Sequence, residues 1–562
     1  VGTLSGERGL FVRDATGLVR EIGFTLGVII IMSNVVGLGW QKRAFQFSSI
    51  PVANEDMLMG LPPIFWAFLF GGIMVIVTGY VAGLVTAAMP RTGGGYVTIS
   101  RVVHPFIGYI AAWFEFLSIG FSYGLIGTAV FEAIMIFFSI AGAPVSFTSD
   151  QLAIGGIIVI LIFSALALFG VRLYGYIMHI MFWIPAVITF GFFAMWINGM
   201  MNPAVVTQGV LKTMGATPQE FVQFALDHGM AEAATTEFSG PLFYAMLGAF
   251  WAYIGYYAVT FLAGEVKEAN VKVPNIVLAS AVLIVVIYLL ASGLSALAAM
   301  SVAATTVNGK TFTFFQAYSY LSYGPGEVRA AVYEAFPQFK AAWSTGLASI
   351  IAQGAGIGWL SWAIALAGVL WLANDIPPFL LTSSRTLFAM AFDRMLPEKL
   401  AYVSEKWHSP VWAIVAATVA GIVGAFAEAS VSGQPGWVAA NLAGKLNWAG
   451  VVGTDIFDAL FLFFFTLSAL LLPFRREDIY ERSVVKLTKG TWAFLSFLAV
   501  VFSLSYIYMF TSVSWRDMIE PFNLAGYIGL LVLGILLYGY YWHSNKAKGI
   551  DVRTIYTVIP PE

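Results

Sequence analysis

The chain has 562 residues, 59% of them hydrophobic and 10% charged, with a net charge of −2. Soluble domains run nearer half apolar and a quarter charged; with a mean hydropathy of +0.83, this composition excludes a soluble enzyme, a disordered chain and a nucleic-acid binder. Cysteine is absent, which excludes disulfides, thiolate metal sites, iron–sulfur clusters and cysteine nucleophiles and leaves a polytopic helical membrane protein.

A helix that crosses the hydrocarbon needs about 20 mainly apolar residues. Twelve stretches meet this condition: 22–40, 63–89, 105–140, 152–170, 173–198, 241–263, 274–301, 345–383, 411–429, 455–473, 491–511 and 524–543. They are too long, and lack the alternation, for a β-barrel. The third and eighth are long enough to tilt or to extend past the membrane. With an even number of spans both termini share a side, and 20 of the 28 Lys and Arg fall on it. The positive-inside rule therefore predicts cytoplasmic termini in a cell (plasma) membrane. Arg8, Arg13 and Arg20 precede the first span with no cleavable apolar leader before it.

The outer loops 199–240 and 302–344 each carry a helical stripe: Phe221, Phe224 and Ala225 in one, Val332, Phe336 and Phe339 in the other. Such stripes fit short helices lying on the outer rim, or a docking site for a partner. Near the middle of the first span stands Ser33-Asn34-Val35-Val36-Gly37-Leu38-Gly39, and near the middle of the sixth Trp251-Ala252-Tyr253-Ile254-Gly255-Tyr256-Tyr257. If spans 1–5 and 6–10 are repeats, these positions correspond, and the odd span count inverts one repeat relative to the other. Paired Gly-interrupted helices are the sequence signature of a secondary transporter's binding site. Unwound backbone at membrane depth is tolerated where it lines a cavity or meets a ligand. The restarted half-helix offers N–H groups to a carboxylate, and the ended half offers carbonyls to an ammonium group. A zwitterion matches that pair of polarities. Close helix packing by Gly is the competing explanation, but it has no reason to recur at both positions.

Several motifs then resemble the amino acid–polyamine–organocation superfamily, and amino acid permeases within it. They are the Asn-x-x-Gly-x-Gly break at 34–39; Met-Pro-Arg-Thr-Gly-Gly-Gly-Tyr-Val-Thr-Ile-Ser-Arg at 89–101 with His104-Pro105; Phe250 to Tyr257 continuing to Gly264-Glu265-Val266-Lys267; and Ser384-Arg385, Ala391 to Pro397 and Ser409-Pro410. The order and spacing match over about 20–430, and the last two spans match only in number. The resemblance implies twelve transmembrane helices in an inverted 5+5 (LeuT-like) fold with discontinuous helices 1 and 6, working by alternating access. On that basis the chain divides into a cytoplasmic segment (1–21), a first repeat (22–198), an outer loop (199–240), a second repeat (241–473) that includes the loop 302–344, peripheral helices (474–543) and a cytoplasmic tail (544–562). It further implies substrate contacts from Asn34, Val35, Val36, Gly37, Leu38 and Gly39, from Phe250, Trp251, Tyr253, Ile254, Gly255 and Tyr257, and from Phe379, with Trp251 as an aromatic gate. Two departures stand out: Leu38 replaces a frequent Ser, and Tyr257 stands where exchangers of basic amino acids carry an acid.

Ionisable residues inside spans are costly and mark function or a built-in partner. His179 is a coupling-proton candidate or a packing histidine. Asp375, in Asn374-Asp375-Ile376-Pro377-Pro378, is a proton or cation site, or a cap for a helix restarted after the prolines. Ser383 and Ser384, with Thr382, offer oxygens to a sodium ion or bond back to their own helix. Glu115 invites pairing with cytoplasmic Arg, and Glu132 interhelical bonding or an outer gate. Glu265 and Lys267 suit an inner gate. Asp455 and Asp458 open span 10, where Asp458 is also within reach of a substrate entering from outside.

Together these residues predict a secondary active transporter of amino acids in the lipid bilayer, with no cofactor, resident metal or covalent chemistry. Proton-coupled symport of a neutral amino acid is the favoured form. Amino acid/amine exchange and sodium-coupled symport are alternatives, and a non-transporting sensor that binds a partner through the outer loops is the alternative of another class.

Overall fold

The computed structural model describes residues 10–140, 145–431, 436–443 and 455–561; Arg8 lies outside them. Among the described residues, twelve helices are long and apolar enough to cross a membrane: Phe24–Gln46, Pro63–Ala88, Pro105–Met135, Ser149–Ala167, Gly170–Met201, Ser239–Phe261, Ala269–Met300, Gly358–Phe392, Val411–Val431, Asp455–Arg475, Lys489–Met518 and Pro521–Ala547. We number them spans 1–12. Spans 1, 2, 3, 6, 8 and 10 form the centre of the bundle. Spans 5, 11 and 12 turn large apolar side chains outward, among them Ile180, Val187, Phe190, Phe497 and Leu536. In water such faces would drive aggregation, whereas acyl chains solvate them.

The eighth span corrects the expected boundary of 345–383. Ser344–Gly354 is a separate helix, and the chain turns before Gly358–Phe392. Gly354 lies so close to span-flanking backbone that a Cβ would stand 1.8 Å from the Val205 carbonyl oxygen, and Gly356 takes a left-handed φ of +76°. Both helices are apolar, so a count of apolar residues joins them across this reversal. Span 8 also runs unbroken through Pro377 and Pro378. Asp375 therefore caps no restarted helix. The two prolines lack N–H groups and release the carbonyls of Ala373 and Asn374 from regular pairing, which is tolerable only inside a packed bundle.

The loops 199–240 and 302–344 fold onto each other. Phe221 is buried and packs against Phe336 (4.8 Å between ring centroids) and Phe339 (5.4 Å). The two stripes thus cover each other. Between them Thr305–Val307 pairs antiparallel with Lys310–Phe312. The turn is Asn308-Gly309, both at positive φ, the hairpin signal that apolar periodicity passes over.

Candidate functional site

Span 1 begins as an α-helix over Phe24–Val35 and loses its regular ladder at Val36 and Gly37. The Gly37 N–H donates to Val35 O (2.8 Å) in place of Ser33 O. The chain resumes as a wide turn over Gly39–Arg43 and then Ala44–Gln46. Span 6 is helical over Ser239–Tyr253, turns at Ile254–Tyr257 and continues as a tight 3₁₀ turn over Ala258–Phe261. Ile254 N–H donates to Trp251 O (3.2 Å), so Phe250 O loses the partner four residues ahead. First N–H groups and last carbonyls of helical segments have no intrahelical partner, and both breaks place such groups in the interior.

The glycines let the breaks meet side chains and each other. A Cβ on Gly37 would stand 2.3 Å from Asp375 Oδ2; one on Gly39 would stand 2.6 Å from the Ala252 Cβ; one on Gly255, at φ +96°, would stand 1.5 Å from Asn34 Nδ2. Asp375 thus lies against the break in span 1, and Asn34 lies across the break in span 6. Ser33 Oγ accepts from Asn374 Nδ2 at 2.6 Å. The Tyr288 hydroxyl, from span 7, sits 2.5 Å from Val35 O and 2.8 Å from Ala252 O, bridging one carbonyl of each broken helix. Asn34 Nδ2 and Oδ1, Asn374 Oδ1, Asp375 Oδ1 and Thr382 Oγ1 are buried without a hydrogen-bond partner. An unmet buried polar atom costs about 1–3 kcal/mol, so several gathered at two opened helices make this the candidate site.

The structure therefore brings Asn34, Val35, Val36, Gly37, Leu38, Gly39, Ile254 and Gly255 together, with Asp375 among them. Phe379 is buried one turn further along span 8. Three aromatic residues turn elsewhere. The Tyr253 hydroxyl donates to Phe68 O (2.9 Å) and its ring stacks on Tyr288. Phe250 stacks on Tyr506 in span 11 (4.4 Å). Tyr257 donates to Asp458 Oδ1 (2.7 Å). Trp251 lies under the Arg43 guanidinium, 4.1 Å from its centroid. His179 is not brought to the breaks. It accepts from Trp183 Nε1 (3.3 Å) and lines a cavity of about 440 Å³ with Glu21, Arg172 and Lys267 at the rim. The Ser383 and Ser384 hydroxyls donate back to Phe379 O (2.8 Å) and Leu380 O (2.7 Å) of their own helix.

Ion pairs close both ends of the bundle. At the end where span 1 finishes, Lys42 Nζ binds Glu132 Oε2 (2.6 Å) and Glu428 Oε1 (3.4 Å), joining spans 1, 3 and 9. At the other end Arg385 holds Glu265 through two bonds (2.8 and 3.0 Å), and Arg101 holds Asp393 likewise (2.6 and 2.8 Å). Burial opposes the charge on Arg101, yet the Asp393 carboxylate outweighs it and raises the guanidinium above its ordinary value. Gly93-Gly94-Gly95 makes this end compact: Gly93 N–H donates to Phe261 O (2.9 Å), and Cβ atoms on Gly94 and Gly95 would strike Thr260 backbone and the Phe461 ring at 2.8 and 2.4 Å. Lys42, Glu428 and Tyr288 escaped the sequence reading. A charge near the end of an apolar run resembles an ordinary interface residue, and a membrane tyrosine carries no local signal of its partners.

Two inwardly broken helices among twelve apolar spans, with buried ion pairs toward either end, define a polytopic helical membrane protein. The chain belongs to the amino acid permease family, whose model matches residues 23–533. It is also similar to the serine/threonine exchanger SteT of Bacillus subtilis (strain 168), 22% identical over 165 residues; the match takes in 29% of this chain and 34% of that relative's length.

Proposed function

We propose that the protein is a secondary active transporter that carries a neutral amino acid across the cell membrane by alternating access, in symport with a proton. The observation that carries this is the pair of broken spans with unmet polar atoms between them. The substrate carboxylate takes the N–H groups at the restart after Gly37. The amino group takes Asp375 and the released carbonyls of spans 1 and 6. The side chain meets Val36, Leu38, Phe379 and Trp251, an apolar and aromatic wall without a second fixed charge. Glu265–Arg385 and Lys42–Glu132–Glu428 act as the inner and outer gates, opened one at a time.

Uptake of a labelled amino acid panel into proteoliposomes, with a pH gradient, a sodium gradient or neither, tests this. Gradient-stimulated uptake of at least one neutral amino acid is expected. No uptake of any member under any condition removes the proposal. Exchange is the second reading, favoured by the exchanger among the similar proteins; uptake that requires internal amino acid selects it.

A further inference from the structure

One group of buried polar side chains lies outside the substrate contacts. Glu115 of span 3 is fully buried and both its carboxyl oxygens lack a partner. Among the described residues no arginine pairs with it. The neighbouring rings of Phe114 and Phe457 stack at 4.2 Å, which sets Glu115 beside Asp458 of span 10, itself 2% exposed. Asp458 accepts the Tyr257 hydroxyl at 2.7 Å. A cavity of about 10 Å³, lined by Asp458, Tyr256 and Tyr506 among others, opens beside it; this is room for one water. The Tyr506 hydroxyl is buried, without a partner, and belongs to the same cavity.

We infer that Glu115 and Asp458 form a proton-binding pair, with Tyr257 linking it to the break in span 6. This rests on the transport reading above. Two carboxylates on neighbouring helices, away from water, repel each other and lose their hydration. One proton between them removes one charge and turns repulsion into a hydrogen bond. The other groups facing the pair are Tyr256 and Tyr257 from span 6, Tyr506 from span 11 and Asp455 from span 10. Thr78 of span 2 bonds Tyr256 at 2.7 Å, and Arg43 of span 1 acts on Asp455. None of these places a cation against Glu115 itself. Tyr257 closes the turn at Ile254–Tyr257, so loss of the proton changes what its hydroxyl meets at the end of the broken helix. The balance is simple: one proton enters from one side, binds a carboxylate oxygen, and leaves to the other side with the bond to oxygen broken.

The full chain reconstituted in lipid vesicles tests this in two ways. Infrared titration between acid and alkaline conditions, with no substrate added, should show a protonated-carboxyl band that Glu115→Gln and Asp458→Asn each abolish or shift and that Asp375→Asn leaves in place. A band unchanged in both of the first two variants overturns the inference. In parallel, a pH gradient of one unit allows a single coupled proton to concentrate substrate up to about tenfold. The wild type should approach that ratio for the amino acid it carries, and Glu115→Gln should stay near equal concentrations. Full accumulation by the variant, or accumulation by the wild type that follows sodium and ignores pH, also overturns it. A wild type that moves no amino acid fails the transport reading instead, and the infrared result still decides the proton pair.

Discussion

At the scale of single residues, two glycines carry the proposed site. Gly255 needs its positive φ and also the empty space that Asn34 occupies. Gly255→Ala should cost about 1–2 kcal/mol for the left-handed backbone alone, with the clash in addition. Adding Asn34→Ala removes the clash and not the backbone strain, so thermal denaturation in detergent should find the double variant more stable than Gly255→Ala. A double variant no more stable would show that Asn34 does not lie across the break. Gly37→Val places methyl groups where Asp375 stands and should abolish uptake while the purified protein stays folded. Retained uptake would remove the assignment of this break as the binding site. The glycines were legible in the sequence because a break in both halves is a local pattern. The arrival of Asp375 at Gly37 was not, because a carboxylate on one helix does not announce which neighbour it meets.

Between elements, the buried ion pairs are the proposed gates. Arg385 and Glu265 join span 8 to the segment that follows span 6 and are almost wholly buried. Removing one partner strands a buried charge, at a cost of about 3–5 kcal/mol. Arg385→Met should therefore lower the thermal midpoint more than the pair Arg385→Met with Glu265→Gln, which leaves no charge behind. Additive losses would show that the two groups do not act as a unit. Span 8 shows where sequence reading stops at this scale. The apolar run 345–383 was read as one crossing, but Gly354 and Gly356 reverse the chain within it. The loop stripes of Phe221 and Phe336 fit rim helices or a docking site, and their packing on each other is visible only in the tertiary structure.

For the whole molecule, the absence of cysteine offers a clean measurement, since any cysteine introduced is the sole label. The charge bias predicts termini on the inside. Met59, strongly exposed between spans 1 and 2, lies in the first loop opposite the termini. Met59→Cys should react with a membrane-impermeant maleimide on intact cells, and Tyr402→Cys, exposed between spans 8 and 9, should react only after lysis. The reverse pattern would invert the orientation.

The sequence alone determined the membrane, eleven of the twelve crossings to within several residues, the two breaks and the resemblance to permeases. These properties depend on composition and on short runs, which are local. The tertiary structure decided the rest: that Tyr288 bridges the two broken helices, that Lys42 meets Glu132 and Glu428, and that Glu115 lies beside Asp458 with no arginine paired to it. A buried charge or hydroxyl is stabilised by whatever group packing brings within about 3 Å, and that group sits on another helix, far away along the chain.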